Sequence, residues 1–339
     1  MQGKERQSNF ELLRIIAMLF IVTHHLLIKG ASTCGYLQPY DYNKDGLFGL
    51  FAESLIVGGV NLFVLISGYF GIRHISKALL KLGIDLMVYG IIAYIVGVVF
   101  LGVDFSIKGL IKGIDIHNWF VLNFAVLVLT APILESSLKN INRRTLEKWL
   151  VFLFIANIFF GWIMGIVNTD GYNYVNFVFL YFIARYIRLT QEEGSKVYNC
   201  GRKYGLIIWI LTGLVLTAGM VGANVFLGKS LKATHYFGYN DPLVILSAIS
   251  LFVVVSSLKI QSRYINIIAT GMFGVFLMHT PPEIIPIRNS LSSLVYQQYG
   301  YLGIFTEAIL LFICLSVVAI PVERLNQQIL KALYGFIKK

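Results

Sequence analysis

The chain has 339 residues, 57% of them hydrophobic and only 13% charged, with a formal net charge of +11. Soluble domains carry roughly 25% charged residues, so this composition belongs to a membrane protein and excludes an ordinary soluble enzyme. The positive charge lies in short loops between apolar stretches rather than on a basic helix or a separate soluble domain, which excludes nucleic acid as the partner. Cys34, Cys200 and Cys314 are far apart and lack metal-ligand spacing, so neither a disulfide framework nor a metal is expected.

Ten candidate membrane helices follow in chain order: 10–29, 47–70, 78–101, 118–135, 149–167, 172–187, 204–227, 241–258, 266–284 and 302–322. The expected fold is therefore all-α and polytopic, a single transmembrane domain over 1–339 with no internal repeat and no appended soluble domain. Arg14 interrupts the first apolar run and no small-residue cleavage site follows it, so the first span is expected to stay uncleaved. The amino terminus holds Lys4 and Arg6. The even-numbered loops hold Arg73, Lys77, Lys81, Lys139, Arg143, Arg144, Lys148, Arg185, Arg188, Lys196, Arg202, Lys203, Lys259 and Arg263, and the tail holds Arg324, Lys331, Lys338 and Lys339. The opposite loops hold only Lys29, Lys44, Lys108, Lys112, Lys229, Lys232 and Arg288. Positive charge stays cytoplasmic, which predicts both termini there.

The first span, FELLRIIAMLFIVTHHLLIK, carries Arg14 and His25. Eleven residues at 100° each close to within about 20° of whole turns, so both side chains share one face, roughly 16 Å apart along the axis. A cation and an imidazole inside a membrane helix are costly and point to function. His24 points roughly 80° away from Arg14 and reads as structural. With the predicted orientation, His25, Glu53, His279, Glu283 and Glu307 gather toward the outer half. Histidine is the usual general base near neutral pH, and a nearby carboxylate would fix its tautomer. Which of Glu53, Glu283 and Glu307 reaches His25 is left open by the sequence. Arg14, Arg73, Lys77, Lys81, Arg185, Arg188 and Arg324 form a second set on the cytoplasmic side, suited to phosphate. Glu11, three residues before Arg14, is placed to neutralise it. Gly59 and Gly68 read as close helix packing, Trp119 and Phe120 as aromatic-belt residues, and Pro281–Pro282 as a break that ends the ninth span after His279.

ELLRIIAMLFIVTHH resembles the first-helix signature of the acyltransferase 3 family of membrane O-acyltransferases: an acidic residue, Arg three later, then His after ten intervening residues, here Glu11, Arg14 and His25. Further segments are similar in the same order, namely GVNLFVLISGYF (59–70), HNWFVLNFAVLVLTAPIL (117–134), ATGMFGVFLMH (269–279) and PVERL (321–325). Val128, Met272 and Phe276 depart from the tyrosine, serine and tyrosine common at these places, and Arg73 is the best match to the basic segment after the second helix.

The resemblance implies transfer of an acyl group, by default acetyl from acetyl-CoA, to a hydroxyl of a cell-surface polysaccharide or lipid-linked glycan, at a bacterial plasma (inner) membrane and without a metal. His25 would serve as base or acyl carrier, with Glu53 and His279 beside it. Arg14, Glu11, Ser67 and Arg73 would hold the coenzyme's phosphate-rich head. The alternative on the same spans is an exporter or flippase of a glycan or acyl metabolite. The sequence does not decide between monomer and homo-oligomer.

Overall fold

A computed structural model describes residues 6–30, 44–139, 141–166, 170–227 and 236–337. Cys34, Lys4, Lys229, Lys232, Lys338 and Lys339 lie outside the described residues. Among those described, every regular element is a helix. The first, α1, runs Ser8–His25 and continues as a π-helical turn over Leu26–Gly30. There follow α2 (Lys44–Ile56), α3 (Gly59–Phe70), α4 (Ile75–Phe100), the short α5 (Ile107–Gly113) and α6 (Trp119–Lys139). After them come α7 (Arg143–Phe154, extended by π-turns over Ile155–Ile163), α8 (Tyr174–Glu192) and α9 (Lys196–Leu227). The chain closes with α10 (Pro242–Ser256), α11 (Arg263–Ile268), α12 (Met272–His279) and α13 (Ile284–Ile337).

Seven of these segments are long and apolar enough to cross a bilayer: Ser8–Gly30, Gly46–Phe70, Ile75–Phe100, Trp119–Lys139, Arg143–Ile163, Lys196–Ala223 and Ile284–Gly335. The expected spans 172–187, 241–258 and 266–284 are helical, but each is too short, too polar or too interrupted to meet that measure. Large apolar side chains such as Phe100, Ile133, Phe152, Ile207 and Val317 are exposed, as a lipid-facing surface requires.

The interior is built around α1, which packs against α3, α10, α11, α12 and α13. Its contact with α3 is close because Gly59 faces it. A Cβ there would stand 2.9 Å from the Ala17 carbonyl oxygen. Gly68 does the same near the other end of α3, where a Cβ would meet the Tyr181 backbone of α8 at 2.8 Å. Small residues let membrane helices approach to backbone contact, and here two of them draw α1 and α8 onto α3.

Three irregularities position the site. The expected helix 47–70 is broken at Val57–Gly58, one turn after Glu53. The expected ninth span ends at His279, as Pro281–Pro282 dictates, and is also interrupted by a tight turn over Ala269–Gly271. The stretch after it is helical from Ile284, because Pro286 falls in the first turn, where a missing N–H is tolerated. That helix bends at Gly300, whose φ of 60° no β-carbon-bearing residue adopts readily. Irregular backbone at membrane depth survives only where it is covered by protein or lines a wet cavity.

Candidate active site

His24 and His25 are successive residues of α1, so their side chains leave the helix about 100° apart and find different partners. His25 Nδ1 lies 3.0 Å from His279 Nε2, and His279 Nδ1 lies 2.7 Å from the Val275 carbonyl oxygen. A carbonyl only accepts, so His279 carries its hydrogen on Nδ1 and presents a lone pair at Nε2. His25 must then donate from Nδ1, which leaves the lone pair of neutral His25 on Nε2. Carbonyl, imidazole and imidazole thus form a chain that selects one tautomer of His25. Such second partners orient a functional histidine and fix which nitrogen is basic.

His25 lines a cavity of about 520 Å³, together with His24, Lys29, Asp115, His117, Asn118, Trp119, Tyr172, Tyr239, Thr280 and Arg288. α1 switches from α to π geometry directly after His25, a distortion frequent at functional positions. Tyr239 stacks on Trp119 with ring centroids 5.5 Å apart and leans on Tyr172 at 4.8 Å. Its backbone carbonyl accepts from two buried asparagines, Asn61 Nδ2 at 2.9 Å and Asn176 Nδ2 at 3.4 Å, and Asn157 Nδ2 in turn donates to Asn176 Oδ1 at 2.9 Å. Trp119 is therefore a wall of this cavity rather than only a belt residue. Asp115 sits in the connection before α6, and its Oδ2 accepts from Asn118 Nδ2 at 3.0 Å. Burial pushes the Asp115 carboxyl above the usual range; Asn118 and His117 oppose this and Glu283 adds to it.

The carboxylate question resolves against the expectation that one of the three glutamates serves His25. Glu53, fully buried on α2, hydrogen-bonds His24 Nδ1. Glu307 accepts from Ser292 Oγ at 2.7 Å, and Glu283 is not one of the residues that line the His25 cavity. The partner of His25 is an imidazole instead. His24 does more than fill space, since it joins the cavity wall with a carboxylate behind it. Arg288, read from sequence as a loop residue, is buried in α13 beside the same pair and donates from Nη1 to the His279 carbonyl at 2.8 Å.

Of the expected cationic set, Arg14, Arg73 and Arg188 lie toward the other end of α1, whereas Lys81 is paired with Asp85 and Glu323 and Arg185 with Glu135. Arg14 pairs with Glu11 at 2.7 Å and remains about one-third exposed. Phe10 packs on Tyr69 with centroids 4.7 Å apart, and Arg188 lies over the Tyr69 ring and donates to its carbonyl at 3.2 Å. Arg14 and Arg188 therefore belong to one end of the bundle, as does exposed Arg73, which follows α3. Ser67 Oγ donates to the Phe63 carbonyl of its own helix at 3.1 Å, so in this state its hydrogen is committed to the helix.

A multi-pass helical membrane protein with a tautomer-locked histidine on an aromatic and polar cavity has the apparatus for moving a proton from a hydroxyl. A family model described as an acyltransferase domain matches residues 7–323. The chain belongs to this acyltransferase 3 family and is a membrane acyltransferase. Neither the curated proteins nor the solved structures contain a match to it.

Proposed function

We propose that the protein is an O-acyltransferase of the bacterial plasma membrane. On this reading it moves an acyl group, acetyl by default, from cytoplasmic acyl-CoA to a hydroxyl of a cell-surface polysaccharide or lipid-linked glycan. The observation that carries this reading is the Val275–His279–His25 chain, which leaves a basic Nε2 on a sugar-sized cavity. Aromatic rings such as Trp119 and Tyr239 suit the apolar faces of sugars, and Asn118 and Asp115 suit their hydroxyls.

The positive-charge bias of the loops supports cytoplasmic termini, so the Arg14 end faces the cytoplasm and the His25 end faces outward. Arg14 and Arg73, with Glu11 orienting Arg14, bind the phosphates of the coenzyme. The pantetheine arm spans the roughly 16 Å between Arg14 and His25 at 1.5 Å per residue. His25 Nε2 takes the proton of the acceptor hydroxyl as its oxygen attacks the thioester carbonyl. The carbon–sulfur bond breaks and the departing thiolate takes up a proton. In the two-step variant the same nitrogen first carries the acyl group. His24, held by Glu53 through Nδ1, lines the same cavity beside this path. Donor and acceptor meet inside the membrane without either crossing it.

The test uses purified protein in proteoliposomes containing glycan lipids, supplied with acetyl-CoA radiolabelled in the acetyl group. Alkali-labile label in the glycan is the expected result. Glycan translocation that needs no coenzyme, with the glycan left unlabelled, would refute the reading in favour of an exporter.

A further inference from the structure

A second cavity, of about 830 Å³, adjoins the first through Arg288, which lines both. One wall is a stripe of α13 that includes Leu302, Thr306, Leu310, Cys314 and Val318. These positions recur every four residues, so they lie along one helix face for about 24 Å at 1.5 Å per residue. Ile92, Ala93 and Val96 of α4 form the opposite wall. Nearly all the lining is apolar, and its charged groups, Arg288 and Glu307, lie near one another, with Arg288 at the junction with the His25 cavity and bonded to His279. A groove open to lipid with charge confined to one place matches a molecule with a long chain and an anionic head.

Arg288 identifies that head. Its residue is only 7% exposed. It spends three hydrogen bonds on neutral oxygens: Nη1 to the His279 carbonyl at 2.8 Å, and Nε and Nη2 to Asn289 Oδ1 at 3.3 and 3.0 Å. Among the described residues no carboxylate lies within 4.0 Å of it. Glu307 is the nearest acidic influence, and one of its oxygens is engaged by Ser292. A buried guanidinium without an ion-pair partner is costly, and two of its five N–H donors remain for a ligand. A guanidinium fits phosphate and carboxylate alike in two-point geometry, and of the two only phosphate also joins a sugar to a lipid chain as a diester.

We infer that the acceptor is a glycan linked through phosphate to a long-chain lipid, with the lipid chain in the α4–α13 groove, the phosphate on Arg288 and the sugar beside His25. This rests on the acyl-transfer reading for the sugar's fate, and not for the binding of lipid and phosphate. A neutral acyl chain of the donor would fill the groove equally well but would leave Arg288 without its anion.

The test photolabels the full-length protein, in nanodiscs of phosphatidylethanolamine and phosphatidylglycerol, with a polyprenyl phosphate carrying a diazirine in its chain. Label should map to the α4 and α13 walls. Arg288→Gln and the groove-filling Thr306→Trp should each lower labelling at least about tenfold, with Arg288→Lys retaining some of it. Thr306 is exposed, so its variant keeps the test valid if Arg288→Gln fails to fold. Unchanged labelling in Thr306→Trp would overturn the inference, as would equal displacement by excess phosphatidylglycerol or by palmitoyl-CoA. Labelling requires no catalysis, so intact labelling without any acyl transfer would sink the proposed reaction and leave the lipid-phosphate site standing.

Discussion

Replacing His279 with phenylalanine isolates the imidazole–imidazole contact. Phenylalanine keeps a planar ring at this buried position with a modest gain in volume, a packing change that the melting temperature of the variant reports. What disappears is the acceptor 3.0 Å from His25 Nδ1. A buried donor left without a partner costs about 1–3 kcal/mol. At about 1.4 kcal/mol per decade this is roughly a 5- to 150-fold effect, before any loss from the wrong tautomer. Once Nδ1–H has no acceptor, the hydrogen is free to reside on Nε2 and the base is gone from the cavity. General-base contributions run to about 10²–10⁴, so a fall in single-turnover acyl transfer of about 100-fold is expected. Acyl-CoA affinity, which the proposed reaction assigns to the Arg14 end, should stay within about twofold. His279→Gln, whose side-chain oxygen can accept the same hydrogen, should recover about tenfold. The assay pairs rapid-quench transfer with equilibrium binding of acyl-CoA and a melting temperature for each variant. Wild-type transfer by a well-folded His279→Phe protein would refute the orienting role of the contact.

Three further perturbations test other features of the site. Arg14→Ala should weaken acyl-CoA binding by about 10- to 100-fold, the worth of one or two charge-assisted hydrogen bonds, while transfer from bound coenzyme is kept; unchanged affinity in a binding titration would remove Arg14 from the coenzyme site. Glu53→Ala should lower the melting temperature, because leaving the buried His24 Nδ1–H without its acceptor costs about 1–3 kcal/mol, and Glu53→Gln should lose less. A melting temperature equal to wild type in Glu53→Ala would show that the His24 contact carries no stability. Asp115 binds its proton more tightly folded than unfolded, so its contribution is favourable below its unfolded pKa and is lost as pH rises through the raised folded value. Asp115→Asn should therefore gain stability over wild type as pH is raised from acid to neutral, and parallel melting curves across that range would contradict this.

The features of this architecture visible in the sequence are those set by local periodicity. Arg14 and His25 share a face because of helix geometry alone, and Pro281–Pro282 ends a helix wherever it falls. The pairing of His25 with His279 joins residues 254 apart in the chain, and only the packing of α12 on α1 brings them together. Glu53 pairs with His24 because adjacent residues diverge by about 100° and α2 approaches from the other side. Arg288 looks like a loop residue because three prolines precede it, yet Pro286 sits where a helix accepts proline. The asparagines around Tyr239 are hidden in apolar runs, where a lone polar residue signals nothing until its partner is known. Hydropathy alone gives ten spans, while helix length and apolarity together define seven among the described residues, since broken and partly polar helices in the interior need not resemble lipid-facing ones.

In the proposed reaction His25 performs the transfer while the opposite end of the bundle binds the donor. One comparison tests it most directly: acyl-CoA binding and single-turnover acetyl transfer to glycan lipid, measured on wild type and His25→Ala in the same membranes. In the variant, binding should stay near the wild-type level and transfer should fall to background. Transfer at an undiminished rate, or loss of binding equal to the loss of transfer, would contradict it.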